Sequence, residues 1–218
     1  MDISLVLDYL ARWGHFLFGI TWIGLLYYFN FIQGEYFKVA DASSRVDAFT
    51  KLVPNALWYF RWGAMFTFLT GAYMLMVRMG GWTLDITLGA LMGTLMFLNV
   101  WLIIWPNQKI VIASNEKVKA GGEALPEAAA AAPKAGLASR TNTLFSIPML
   151  FFMGSSAHFS HGGIATSNTA LWVGIAIIAA IEVNAVVGKQ GPMTTVRGVI
   201  SSGLVLTAVL WAVVELLA

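Results

Sequence analysis

Residues 84–105 read LDITLGALMGTLMFLNVWLIIW and are closed by Pro106. One charge, Asp85, stands at the start, and nothing else in the run is ionisable. A helix of that length rises about 1.5 Å per residue and reaches roughly 30 Å, the depth of a bilayer's hydrocarbon core. A soluble protein has little use for such a segment. Working outward, five further stretches meet the same criterion: 5–31, 57–77, 143–159, 170–187 and 196–217. Six spans predict an all-α polytopic membrane bundle, a single transmembrane domain over 1–218. Composition agrees, with 58% hydrophobic and 11% charged residues against about 25% charged in soluble domains. A formal charge of +2 and the lack of a basic stripe argue against nucleic acid as a partner. No cysteine is present. Disulfides, thiolate metal sites, iron–sulfur clusters and covalent c-type haem are therefore excluded.

Lysine and arginine in the connections set an expected orientation. The first loop holds Lys38, Arg45 and Lys51, and the second only Arg78. The third holds Lys109, Lys117, Lys119, Lys134 and Arg140, the fourth none, and the fifth Lys189 and Arg197. The alternation places both termini outside, in a multi-pass protein of the bacterial inner membrane. Met1-Asp2-Ile3-Ser4 lacks a cationic region, so the first helix is expected to be retained. Residues 113–138, with Gly121-Gly122, Pro126, the run Ala128–Ala132 and Pro133, read as a low-complexity cytoplasmic loop.

Ionisable groups inside a membrane are costly and mark function. His15, Gly19 and Trp22 fall at offsets of four and seven, on one helical stripe. A ring donor with a glycine one turn away suits a flat macrocycle, and the same pattern suits a histidine hydrogen-bonded to a neighbouring helix with Gly19 at the packing face. His158 and His161 close the fourth span, and His158 is the better second ligand. Imidazole serves haem iron, copper or zinc alike, so residue type leaves the metal open between His15, His158 and His161. Arg12 and Arg78 sit at the outer edge, suited to carboxylate groups of a cofactor or to snorkelling. Glu182 and Asn184 in the fifth span are candidates for a proton relay or a polar substrate contact. Asn99 reads as interhelical hydrogen bonding.

Several strings carry a resemblance. Arg12-Trp13-x-His15 with Gly19-Ile20-x-Trp22-Ile23-Gly24-Leu25-Leu26-Tyr27-Tyr28-Phe29-Asn30 resembles the membrane domain of the bacterial membrane-bound urate oxidase family. So do Asn55-Ala56-Leu57-Trp58-x-Phe60-Arg61-Trp62-Gly63-Ala64 and Asn99-Val100-Trp101-x-Ile103-Ile104-Trp105-Pro106-Asn107-Gln108-Lys109. Arg140-Thr141-Asn142-Thr143 and Ser146-Ile147-Pro148-Met149 complete the set. The first-span histidine, tryptophan and Gly-Leu-x-Tyr pattern is similar to small haem-binding protoporphyrinogen oxidases, which points His15 toward haem b. The resemblance implies oxidation of urate to 5-hydroxyisourate, electrons passing to a cytochrome c without hydrogen peroxide. Full-length members carry a C-terminal cytochrome c domain, and this chain ends at Ala218 without a cysteine. The expectation is therefore an external cytochrome c, with His15, His158, Gly19, Trp22, Arg12 and Arg78 around a haem near the outer face. Two alternatives stand beside it. One is a non-catalytic haem- or copper-binding subunit of a larger membrane complex. The other is a permease built on Glu182 and Asn184.

Overall fold

The computed structural model describes residues 2–77, 81–163 and 168–218. It is all-helical. The first helix, α1 (Ile3–Tyr27), starts at Asp2, whose carboxylate accepts from the Ser4 backbone N–H. It continues through a π-helical turn, Tyr28–Gln33, into α2 (Gly34–Val39). The short α3 (Ala42–Lys51) is capped by Asp41, and α4 (Val53–Val77) follows at once. Helix α5 (Leu84–Leu98) opens at Thr83, whose hydroxyl accepts from Ile86 N–H. A second π segment, Asn99–Ile104, joins it to α6 (Trp105–Lys119). Then come α7 (Ala128–His158), α8 (Asn168–Val187) and α9 (Val196–Leu217), the last capped by Thr195.

Among the described residues four helical runs are long and apolar enough to cross a membrane: Ile3–Val39, Leu84–Lys119, Thr169–Val187 and Val196–Leu217. Helices α4 and α7, of 25 and 31 residues, have the length for a crossing. They carry polar groups inside it, Arg61 in one and the run Arg140–Thr143 in the other. That difference has a structural cause. Helix α7 is packed by α1, α5, α6, α8 and α9, and Arg140, Thr141, Asn142, Thr143 and Ser146 are all buried in the protein. Its polar middle faces neighbouring helices and never the surrounding lipid.

Two boundaries depart from the sequence reading. Pro106 does not stop the third span, which runs on to Lys119. Proline removes one helical hydrogen bond and crowds the carbonyl four residues back. Here the π segment lies immediately before it, and the wider turn takes up that misfit within one continuous helix. The low-complexity loop expected over 113–138 is also corrected. Helix α6 occupies its first part and α7 begins at Ala128. Ala131, Ala135 and Ala138 are buried, the last two with no exposure at all. Small side chains there let helices approach closely. Ala131, Ala135 and Ala138 form a packing face on this part of α7.

The register of α7 against α5–α6 is antiparallel and even along its length. Ser114 accepts from Leu125 N–H just ahead of α7, and within α7 Asn142 pairs with Asn99 and Ser155 with Asp85. Gly89 and Gly93 leave room for Met153 and Met149. Pro148 deprives the Leu144 carbonyl of its helical donor, and there α9 comes nearest. A Cβ on Gly203 would lie 3.1 Å from Leu144 O and 2.6 Å from Ile147 Cδ1.

The alanine face gives a direct contrast. Ala135→Leu should destabilise the protein by about 1–3 kcal/mol through overpacking, while Ala132→Leu, on the exposed side of the same turn, should change little. Thermal melts of the two variants in one detergent measure the difference, and equal effects would mean that the segment does not pack.

Candidate functional site

His15 is half-buried, and its described partners lie on α4. Its Nδ1–H donates to Thr67 O at 2.9 Å, because a carbonyl only accepts, and Thr70 Oγ1 lies 3.2 Å away. This leaves Nε2 with the lone pair. The rest of the stripe closes on the same helix. A Cβ on Gly19 would meet Thr67 Cγ2 at 3.9 Å, and one on Gly63 would meet the Trp22 backbone nitrogen at 3.2 Å. Trp22 is 2% exposed. The gap in which a flat macrocycle would lie is filled by α4.

The other described members of that expected site have neighbours of their own. Arg12 is bonded to Asp8 by two contacts of 2.8 and 3.2 Å within α1. His158 is exposed at the end of α7. Arg78 lies outside the described residues. Among the described residues no set of three His, Asp or Glu side chains converges as metal ligands would.

His161 is engaged at both ring nitrogens. Nδ1 donates to Asp85 Oδ1 at 2.8 Å and Nε2 to Glu215 Oε1 at 3.2 Å, while its backbone N–H donates to Asp85 Oδ2 at 2.9 Å. Asp85 is fully buried in the first turn of α5, where the helix dipole favours a negative charge. It also accepts from Ser155 Oγ at 2.7 Å. Glu215 accepts from Trp211 Nε1 at 3.1 Å. The loop is drawn in by its backbone as well, since Leu84 N–H donates to Gly162 O at 3.0 Å. His161 therefore holds α5 and α9 together through two carboxylates, and no ring nitrogen is left for a metal. Burial pushes its pKa down, but the hydrogen bonds and charges of Asp85 and Glu215 outweigh this and leave it raised. Sequence reading offered His161 as a candidate metal ligand and gave no role to Asp85 or Glu215. The available signal was Asp85 itself, the sole charge in the run from 84 to 105.

A second polar cluster lies between α5, α7 and α8. The Asn99 amide donates to Asn142 Oδ1 at 3.0 Å and to Glu182 Oε2 at 3.1 Å, and Asn142 donates to Met96 O at 2.9 Å. Asn99 and Asn142 are 2% and 0% exposed, and Asn99 opens the second π segment, a feature frequent at functional sites. Asn184 takes no part. It exchanges hydrogen bonds with the backbone of Lys189 at the end of α8.

The His161 bridge carries a signed pH dependence. A folded pKa above the ordinary value of about 6.5 means that its stabilisation is complete below that pH and fades as pH rises through the raised value. Melting temperature should therefore fall between pH 6 and pH 9 more steeply in the native protein than in His161→Gln. Asp85→Ala, which strands three donors in a buried place, should cost about 3 kcal/mol. Parallel pH profiles for the native protein and the histidine variant would refute the bridge.

Residues 79–214 match the model described as urate oxidase, N-terminal. The match covers more than half of the 218 residues and includes Asp85, Asn99, Asn142, Ser155, His161 and Glu182. His15, Gly19 and Trp22 precede it, as do the resembling strings of the first two spans. Those at 99–109 and 140–149 fall within it. No curated protein and no solved structure matches the chain. Residues 79–214 contain the Asn99 cluster and all of the His161 cluster except Glu215, and by that match the chain belongs to the urate oxidase N-terminal family.

Proposed function

We propose that this chain is a urate-oxidising membrane protein that delivers electrons to a cytochrome c. The supporting observation is that the family match contains the Asn99–Asn142–Glu182 cluster and Asp85, Ser155 and His161 of the other. In the reaction urate and one water give 5-hydroxyisourate, two protons and two electrons. Each electron reduces one ferricytochrome c, so oxygen is not consumed and no hydrogen peroxide forms.

The proposal includes six crossings with both termini on the outer side. Asp85, His161 and Glu215 then lie at the outer face together with the C-terminus, where a soluble cytochrome docks. His161 holds protons between two carboxylates there, one buried and one 43% exposed. As pH rises through its raised pKa the ring gives up one proton, and the neutral form is suited to take up a proton that the oxidation releases. Glu182, held by Asn99, supplies a second carboxylate deeper in the bundle.

The test uses purified protein in detergent under anaerobic conditions with urate and ferricytochrome c. Loss of urate should be matched by reduction of two cytochromes per urate. His161→Gln should lower kcat by about 100-fold and flatten the pH profile, with KM little changed. A folded protein that reduces no cytochrome with urate present would overturn the enzyme reading and favour the non-catalytic subunit.

A further inference from the structure

Two cations share one tryptophan. The Arg61 guanidinium of α4 lies 3.9 Å from the centroid of the Trp105 ring on α6, and Lys109 Nζ, a turn further along α6, lies 5.7 Å from it. Attraction to the ring face holds both there and leaves both charged. At the same end of the bundle Lys38, Lys51 and Lys119 each reach a carboxylate. Among the described residues Arg61 and Lys109 make neither an ion pair nor a side-chain hydrogen bond. Like charges gathered on one ring repel, and a shared counter-charge relieves them.

Depth and surroundings say where that counter-charge comes from. At about 1.5 Å per residue the rod from Leu84 to Trp105 is about 30 Å long, the thickness of the hydrocarbon core. With Leu84 at one membrane boundary, Trp105 stands at the other, and the exposed Trp58 on α4, just before Arg61, suits the same aromatic belt. This is the boundary on the α3 side, because Lys119 at the far end of α6 donates to Thr50 of α3 at 2.9 Å. Back from Lys109 toward the core, Trp105, Leu102 and Leu98 follow at helical spacing. Leu102 is 68% exposed and Leu98 39%. Charge at the boundary, then a ring, then bare apolar surface is the order of groups that a phospholipid presents.

We propose that Arg61 and Lys109, seated on Trp105, bind the phosphate of an anionic phospholipid in the leaflet on the α3 side, with an acyl chain along Leu102 and Leu98. The guanidinium donates to the phosphate oxygens through its fork of N–H groups, and Lys109 adds a point charge. A choline headgroup would bring a cation of its own up to these two, so the class is anionic and not zwitterionic. A free phosphate has no chain to cover the leucines.

The experiment titrates phosphatidylglycerol or phosphatidylcholine into the purified full chain in dodecyl maltoside and counts bound lipid by native mass spectrometry, with a melting temperature for each variant. Native protein should bind phosphatidylglycerol at least tenfold more tightly than phosphatidylcholine. Arg61→Gln and Lys109→Gln should each weaken phosphatidylglycerol binding about fivefold, and the double variant about thirtyfold, with phosphatidylcholine binding unmoved. Lys109 is exposed, so its variant decides the matter if Arg61→Gln fails to fold. Equal affinity for the two lipids in native protein, or an unchanged preference in the folded variants, would overturn the site. Displacement of phosphatidylglycerol by inorganic phosphate at equal concentration would overturn it too, by showing a site for a free anion.

Discussion

One amide nitrogen connects three helices in the middle of this bundle. Asn99 divides its two N–H groups between Asn142 on α7 and Glu182 on α8, and Asn142 passes the connection back to the Met96 carbonyl. Where no water competes, a polar side chain must find a partner inside the protein or stay outside it. That constraint explains why α7 occupies the centre. Its segment from Arg140 to Ser146 could not face lipid, and five other helices surround it. The neighbours are then fixed by what α7 offers them. Ser146 meets the Tyr27 hydroxyl, Ser139 meets Asn30, and Ser155 meets Asp85.

The two π segments belong to the same account. Tyr28–Gln33 carries the buried Asn30 and Gln33, and Asn99–Ile104 opens with the buried Asn99. A π turn rotates the residues beyond it relative to an ordinary helix. That rotation lets Asn30 and Asn99 face α7 while the flanking apolar stripes keep their own neighbours. In the second case it also absorbs Pro106. The extra turn combines a packing solution with the placement of function-bearing side chains.

Much of this was legible in the sequence, and the failures share a cause. Hydropathy marked residues 196–217 to the residue and 170–187 within two, because those helices bury little polar surface. It cut α7 to half its length, since alanines and Arg140–Thr143 look like loop until burial is known. It cut the third span at Pro106 for the same reason, as no residue pattern announces a π turn. At the site, the stripe of His15, Gly19 and Trp22 was found by periodicity. Periodicity alone could not decide between a cofactor and a helix, and the structure puts α4 against it. Glu182 was found as an acid out of place. Its partner Asn99 lies 83 residues away in the chain, and Asp85 and His161 are 76 apart. Such pairings follow from helix register, which single-sequence reading does not supply.

The central claim is that buried hydrogen bonds to α7 hold the bundle's arrangement. A double-mutant cycle between Asn99→Leu and Asn142→Leu, read from reversible unfolding in one detergent, tests it most directly. The account predicts a coupling of about 0.6–1.7 kcal/mol, the scale found for interhelical hydrogen bonds in membranes. Strictly additive losses would contradict it, because the two amides would then contribute to stability independently of one another.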